Sequence, residues 1–256
     1  MNILCVGDVV GSAGCRHLQK VLPVIKKKYA VDICVVNGEN SADGNGMTKV
    51  SIDCLFAAGA DVVTGGNHTY RRPEVYELLE QQNGVLRPAN FPQSAPGSGV
   101  FVVDKGRFQV AVINLMGVVY MEPMACPFET LDAILADNSL PKCKIVDFHA
   151  EATAEKKALA YYADGRVSAV VGTHTHTPTA DEQILQNGTG FITDIGMTGP
   201  VNSVLGVCPE QSIAKMKEKL PVRFSVADGP CCMQTVLLCV DIKTGKTTSI
   251  ERLDIR

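Results

Sequence analysis

Short runs of β-branched and apolar residues alternate with longer amphipathic segments through the first two thirds of the chain. Such runs predict buried strands and the longer segments predict helices, a pattern typical of an α/β protein. The predicted strands cover residues 2–7, 31–37, 61–65, 143–148 and 167–172. The predicted helices cover residues 13–28, 48–58, 72–81, 127–137 and 153–163, with Thr48 and Thr153 as N-caps.

The last third of the chain is richer in predicted strands. Gln186-Asn187-Gly188-Thr189 predicts a tight hairpin, as Lys105-Gly106 does earlier, and further strands are expected around Lys243-Thr244-Gly245-Lys246. Residues 194–208 predict a long irregular loop that either lines a site or crosses the surface between sheets. Since the pattern contains no linker, residues 1–256 are expected to form a single domain.

Five of the predicted strands end in side chains that bind metals. These side chains are Asp8, then Glu39 and Asn40, then Asn67 and His68, then His149, and last His174 and His176. The carboxyl ends of parallel strands meet at one crevice of an α/β sheet, so the endings predict one assembled site. His174 and His176 are two positions apart in a segment predicted to be extended, which would place both rings on the same side.

The residue types at these endings suit a site for two metal ions. Glu39 is the best candidate to bridge them, because two neighbouring divalent ions need a shared anion. Asp8, Asn40 and His176 would hold one ion, while Asn67, His149 and His174 would hold the other, and this division stays open. Oxygen and imidazole ligands suit manganese, iron and zinc alike.

The expected charge of the site favours an anionic substrate, since two divalent cations outweigh the carboxylates of Asp8 and Glu39. A bridging water in that field would lose a proton and attack phosphorus. His68 would then protonate the departing oxygen, and the alternative is that His68 only orients the ligands around it. Asp147 either supports a ligand or bonds to the backbone.

Composition narrows the choice of partner and compartment. The hydrophobic content of 46% is ordinary for a globular protein. The formal charge of −3 does not provide the excess of positive charge that binding to duplex DNA requires. No apolar run approaches the roughly 18 residues of a membrane helix. Gly7 and Asp8 interrupt the apolar start and no basic segment precedes it, so a cytoplasmic protein is expected. The ten cysteines include no C-x-x-C pair, which predicts mostly reduced thiols, with adjacent Cys231 and Cys232 as a minor candidate for a soft metal.

The ligand blocks resemble those of the calcineurin-like metallophosphoesterases, which run Asp, a carboxylate, Asn-His, His and Gly-His-x-His. The corresponding stretches are Gly7-Asp8, Gly38-Glu39-Asn40, Gly66-Asn67-His68, Phe148-His149 and Thr173-His174-Thr175-His176. The chain departs from the general pattern at Val10, where a histidine is common, and at Glu39, where an aspartate is usual. Asn40 is the candidate for the missing ligand.

Both departures are shared by the YmdB-like bacterial phosphodiesterases, which this sequence resembles along essentially its whole length. The resemblance is carried by Gly7-Asp8-Val9-Val10-Gly11, Asn37-Gly38-Glu39-Asn40, Arg87-Pro88-Ala89-Asn90-Phe91-Pro92, Asp147-Phe148-His149-Ala150-Glu151-Ala152-Thr153 and Thr193-Asp194-Ile195-Gly196-Met197-Thr198-Gly199-Pro200. One local departure is Tyr70, at a position where a tryptophan is expected in relatives.

The resemblance implies an α/β four-layer sandwich, in which two mixed β-sheets are flanked by helices and the metal site lies at the carboxyl ends of the strands. It also implies a dinuclear iron or manganese site, hydrolysis of 2′,3′-cyclic nucleotides, and a cytoplasmic role linked to RNA turnover. Assembly into homodimers or homotetramers is expected on the same ground. The alternatives are a phosphomonoesterase or 5′-nucleotidase, and a metal-binding regulatory protein acting through a protein or RNA partner.

Overall fold

The computed structural model describes residues 1–81 and 83–256. In chain order the strands are β1 (Asn2–Val6), β2 (Asp8–Val9), β3 (Ile33–Asn37), β4 (Val62–Thr64), β5 (Val100–Asp104), β6 (Gln109–Met116), β7 (Cys143–His149), β8 (Ala169–Thr173), β9 (Gln183–Ile184), β10 (Gly190–Ile192), β11 (Met197–Pro200), β12 (Cys231–Val240) and β13 (Thr247–Ile255). The helices are α1 (Gly11–Lys28), α2 (Lys49–Ala58), α3 (Val75–Glu80), α4 (Pro127–Leu135), α5 (Thr153–Ala163) and α6 (Pro209–Glu218).

The strands form two mixed sheets. The first has the order β2-β11-β12-β1-β3-β4, with β13 paired to β12 as its seventh strand. The second has the order β5-β6-β7-β8-β10-β9. Within them β1, β3 and β4 run parallel, as do β6, β7, β8 and β10, so the carboxyl ends of each set share one edge.

Alternate side chains of the buried strands feed different cores. Leu4 and Val6 of β1 pack with α1 and α2, whereas Ile3 and Cys5 face the second sheet. A third core lies between the second sheet and α4 and α5. The order of layers is therefore helix, sheet, sheet, helix, and the calcineurin-like sandwich expected from the sequence is confirmed.

The chain crosses from the second sheet to the first through residues 193–196, which are buried. A side chain at Gly172 would come within 1.7 Å of the Thr193 carbonyl oxygen, and one at Gly7 within 2.2 Å of the Gly196 oxygen. Both glycines allow a strand end to pack directly on the crossover. The prediction of one long irregular loop over residues 194–208 is thus partly wrong, because its start is a buried connection between the sheets and β11 follows at once.

Most predicted elements agree with the structure to within about two residues. Thr48 caps α2 as expected, since its Oγ1 accepts from the Ser51 amide at 3.2 Å and the Ser51 hydroxyl accepts from the Thr48 amide at 2.9 Å. Thr153 is instead the first residue of α5, and Ala152 precedes it as the cap. Predicted helix 72–81 begins only at Val75, because the turn around Pro73 comes first.

Three elements have no counterpart in the sequence-based prediction, namely β2, β11 and α6. The single domain expected over residues 1–256 stays a prediction.

Cys231 and Cys232 are adjacent on β12, where successive side chains point to opposite faces. No helix in the described part of the chain is long and apolar enough to cross a membrane.

Candidate metal centre

Four ligand atoms converge at the carboxyl ends of β3, β4, β7 and β8. The Nε2 atom of His149 lies 3.0 Å from Asn67 Oδ1, 3.0 Å from His174 Nδ1 and 3.1 Å from Glu39 Oε1. Candidate ligand atoms of Glu39, His149 and His174 all lie within 4.8 Å of one another. Because these atoms offer lone pairs, a cation or shared protons must hold the group together.

A second group surrounds the carboxylate of Asp8, which begins β2 two residues after the end of β1. Its Oδ1 lies 3.6 Å from His176 Nε2, and His176 Nε2 lies 3.1 Å from the amide nitrogen of Asn40. The same amide nitrogen lies 3.2 Å from Glu39 Oε1. The side chain of Glu39 therefore contacts members of both groups, and its role as a bridging carboxylate stays a prediction.

Asp8 provides the test of whether these residues fit a metal. The residue is fully buried, and within the described ranges its Oδ1 has no hydrogen-bond partner. A buried carboxylate oxygen without a donor is costly unless a cation compensates it. Oxygen and imidazole donors together suit a first-row transition metal. The carboxylates and imidazoles therefore fit metal ions at both groups, whereas Asn40 turns its side-chain nitrogen to His176 and its oxygen to His68.

Charges within the site shift the pKa values of its members in both directions. Burial lowers the pKa of His149, but the carboxylates of Glu39 and Asp8 outweigh burial and raise it to about 9. Burial, together with the neighbouring charge of His149, lowers the pKa of His174 to about 4. Burial raises the pKa of Glu39, but the charge and hydrogen bond of His149 outweigh it and lower the pKa. Without metal, the His149 imidazolium thus compensates the carboxylates.

The orientation of His149 is set by a buried carboxylate behind it. Thr173 Oγ1 donates to Asp147 Oδ1 at 2.7 Å, so the hydroxyl can only accept from His149 Nδ1, 2.9 Å away. His149 therefore presents Nε2 to the site. Asn37 also donates to Asp147, at 3.1 Å. Of the two roles open to Asp147, the structure shows the supporting one.

His174 and His176 both reach the site, but through a turn and not through an extended segment. Strand β8 ends at Thr173, and the two histidines have positive φ angles of 103° and 58°. The rings of His174 and His176 were predicted to lie on the same side because the segment was expected to be extended. That premise is wrong, since the segment is a turn. Backbone in this region is strained for residues other than glycine and is typical of functional sites.

Three contacts fix the strained turn. The His174 amide donates to Asp8 Oδ2 at 3.2 Å, and the Thr175 amide donates to Asp194 Oδ2 at 3.1 Å. His176 Nδ1 lies 2.9 Å from the Leu205 carbonyl oxygen and donates to it, which leaves Nε2 for the site. On the other side, Glu151 Oε2 lies 3.1 Å from His174 Nε2 and orients that ring.

A buried ion pair lies beneath the turn. Lys156 Nζ lies 2.7 Å from Asp194 Oδ2, and the two side chains are 1% and 0% exposed. Asp194 belongs to the crossover and also accepts the Gly196 amide at 2.9 Å. One carboxylate thus joins α5, the crossover and the turn that carries two candidate ligands.

His68 is set apart from the cluster. Its Nδ1 lies 2.8 Å from Asn40 Oδ1 and 3.4 Å from Glu39 Oε1, and its side chain is 28% exposed. Its backbone amide donates to Glu39 Oε2 at 2.9 Å. Burial lowers the pKa of His68, and the charge of Glu39 offsets this only in part. The ring thus lies at the more exposed edge of the site, and its lowered pKa favours the neutral imidazole near neutrality.

One glycine, Gly66, and one apolar residue, Val10, also shape the candidate metal centre. A side chain at Gly66 would come within 2.3 Å of Glu39 Oε2 and 2.4 Å of His149 Nε2, so only glycine permits this approach. Val10 is buried, and a side chain at Gly206 would come within 2.6 Å of it. The position where a histidine is common therefore packs against the loop after β11.

Several supporting residues were missed by reasoning from the sequence, namely Asn37, Thr64, Lys156, Thr173 and Asp194. Threonines are ordinary in strands, so Thr64 and Thr173 carry no signal. Asp194 did carry a signal in the sequence, because it is an acidic residue that follows β10 in an otherwise uncharged stretch.

A family model of YmdB-like proteins matches residues 4–253. The chain belongs to the YmdB-like family. The resemblance inferred from the ligand blocks is thus confirmed.

Relatives of this YmdB-like chain match it over nearly their whole length. It is 44% identical over 254 residues to the 2′,3′-cyclic-nucleotide 2′-phosphodiesterase of Bacillus subtilis, covering 99% of this chain and 96% of that one. A hypothetical protein from Thermus thermophilus, of known crystal structure, has a TM-score of 0.94 at 38% identity, with 99% and 98% of the chains covered. A structure from Mycoplasma pneumoniae described as a novel phosphatase has a TM-score of 0.94 at 33% identity, with 100% and 93% covered.

The ion pair beneath the turn of this YmdB-like protein yields a prediction about stability. Asp194→Asn leaves the Lys156 ammonium buried and unpaired, which costs about 3–5 kcal/mol. Urea unfolding of the metal-free protein should show this loss. Asp53→Asn is the control, since Asp53 pairs with Lys49 at the surface with 60% of its side chain exposed and should matter far less. Equal midpoints for the two variants would contradict the assignment.

Proposed function

We propose that this chain hydrolyses 2′,3′-cyclic nucleotides at a dinuclear metal site formed by Asp8, Glu39, Asn40, Asn67, His149, His174 and His176. The observation that carries the proposal is the position of Glu39 Oε1, which lies within hydrogen-bond distance of both groups of candidate ligands. The B. subtilis relative of 44% identity, named for this reaction, supports the choice of substrate.

We assign Asp8, Asn40 and His176 to one ion and Asn67, His149 and His174 to the other, with Glu39 shared. Metal ions bound here would supply an activated water and positive charge for the phosphoryl oxygens. The carboxylates of Asp8 and Glu39 are the only acids in this ligand set, so the loaded site keeps a net positive charge. An anionic phosphodiester is attracted to such a pocket.

The part played by His68 follows from its position at the rim. The ring is held through Nδ1 by Asn40, and 28% of its side chain is exposed. When the imidazole is protonated, its Nε2 carries the proton that would pass to the departing ribose oxygen. His68 is therefore the proposed general acid, and Asn40 fixes the angle of its ring.

Iron or manganese is the proposed metal, in line with the family resemblance and with the mixed donors, which zinc also suits. We further propose a cytoplasmic location, which reduced thiols favour, and all ten cysteines are free. A homo-oligomer is proposed as well, and the exposure of Ile213 and Met216 on α6, at 59% and 66%, supports it. Partners in RNA turnover remain an expectation from the resemblance.

The activity is tested directly by turnover of 2′,3′-cyclic AMP after reconstitution with manganese, iron or cobalt. Hydrolysis should exceed that of 5′-AMP under the same conditions, because the proposed substrate is a diester. Faster release of phosphate from 5′-AMP would favour the phosphomonoesterase alternative. Inactivity with every metal, in a protein shown to contain metal, would contradict the proposal and favour a regulatory role.

The role of His68 is tested by comparing the loss of activity of His68→Ala on two substrates whose leaving groups differ in their need for a proton. His68→Ala should lower kcat on 2′,3′-cyclic AMP by roughly 10²–10⁴-fold while bound metal stays at the wild-type level. The loss should be much smaller on bis-p-nitrophenyl phosphate, because p-nitrophenolate leaves without a proton. Equal losses on both substrates would assign His68 an orienting role and reject general acid catalysis.

A further inference from the structure

A pocket of about 460 Å³ lies beside the turn that carries Asn67 and His68. Its walls include Tyr70, Tyr76, Phe91, Pro92, Pro96 and Met124. The three aromatic rings form edge-to-face contacts, with centroids 5.6 Å apart for Tyr70 and Tyr76 and 5.2 Å apart for Tyr70 and Phe91. The pocket thus offers flat apolar surfaces at a place where the proposed reaction uses no residue.

The walls of the pocket are fixed in advance. The Tyr70 hydroxyl donates to the Pro96 carbonyl oxygen at 2.7 Å. Arg87 is buried, and its Nη1 donates to the carbonyl oxygens of Pro88 at 2.8 Å and Ala89 at 3.2 Å, which holds the segment leading into Phe91. A preformed wall costs little ordering entropy when a ligand binds.

The pocket is joined to the metal centre by a very short stretch of chain. Tyr70 follows His68 by two residues, so their Cα atoms are at most roughly 7 Å apart. Thr69 closes the turn between them, since its Oγ1 accepts the Gly66 amide at 3.0 Å and donates to the Gly66 carbonyl at 2.8 Å. In a 2′,3′-cyclic nucleotide only one ribose separates the base from the phosphate, so a base pocket must adjoin the metal centre, as this pocket does along the chain.

Two arginines lie near the turn that joins the pocket to the metal centre. Arg71 directly follows Tyr70 in the chain. Arg87 lies near Tyr70, where its charge partly opposes the effect of burial on the tyrosine pKa. The neighbourhood therefore suits a ligand that combines an anion with a flat ring.

We propose that this pocket binds the nucleobase of the substrate whose phosphate lies at the metal centre. The inference rests on the proposed function, which it extends from the phosphodiester to the base. Stacking on aromatic faces tolerates every base, because each base has a π-face. The pocket therefore gives affinity for nucleotides over smaller cyclic phosphates, with little choice among bases.

The experiment compares 2′,3′-cyclic AMP with 1-O-methylribose 2,3-cyclic phosphate, which has the same reacting group and no base. Tyr76→Ala should lower the ratio of kcat/KM on the nucleotide to that on the base-free analogue by about tenfold, mainly through KM. Tyr76→Phe keeps the ring and should restore the ratio. Tyr161→Ala is the control, since this tyrosine is 64% exposed on α5, and it should show the wild-type ratio.

A wild-type ratio in Tyr76→Ala would overturn the inference while leaving the proposed function in place. So would a change in oligomeric mass without a change in the ratio, because the pocket would then be a contact between subunits. Should the wild type hydrolyse neither cyclic phosphate, saturation-transfer NMR with 5′-AMP still decides. Transfer to the adenine protons that is lost in Tyr76→Ala supports the base pocket, and equal transfer in both proteins rejects it.

Discussion

Two fully buried carboxylates, Asp8 and Glu39, impose the constraint on which the rest of this site depends. Burial raises the pKa of each, yet the neighbouring histidines outweigh burial and lower both, so the pair is ionised. Two negative charges in the interior require compensation from nearby cations. Imidazolium groups provide this positive charge in the metal-free protein. In the metal-loaded protein, metal ions are proposed to provide it instead.

The architecture serves this constraint by bringing strand ends from both sheets to one place. Asp8 begins β2 directly after β1, and Glu39 follows β3, while His149 ends β7 and the turn with His174 and His176 follows β8. The buried crossover links the two sheets at this edge. Gly7 and Gly172 pack directly against it because they have no side chains. Asp194 joins the crossover to Lys156 and to the Thr175 amide, so the rigidity of the core extends to the ligands.

The candidate ligands could be predicted from the sequence because each one interrupts an apolar run at the end of a strand. The same reasoning could not supply the turn at His174 and His176, since positive φ angles there depend on contacts from Asp8 and Leu205, which are distant in sequence. Thr173 and Lys156 were missed for the same physical reason. A threonine in a strand and a lysine in a helix show their role only when the second sheet and the crossover pack against them.

Glu39 is proposed to be shared by two metal ions. This sharing is tested most directly by the metal content of Glu39→Gln after reconstitution and removal of excess metal, measured by inductively coupled plasma mass spectrometry. Glu210→Gln, at an exposed position on α6, is the matched control. About two ions per chain are expected in the wild type and the control, and one or none in Glu39→Gln. Two tightly held ions in Glu39→Gln would contradict the sharing of Glu39.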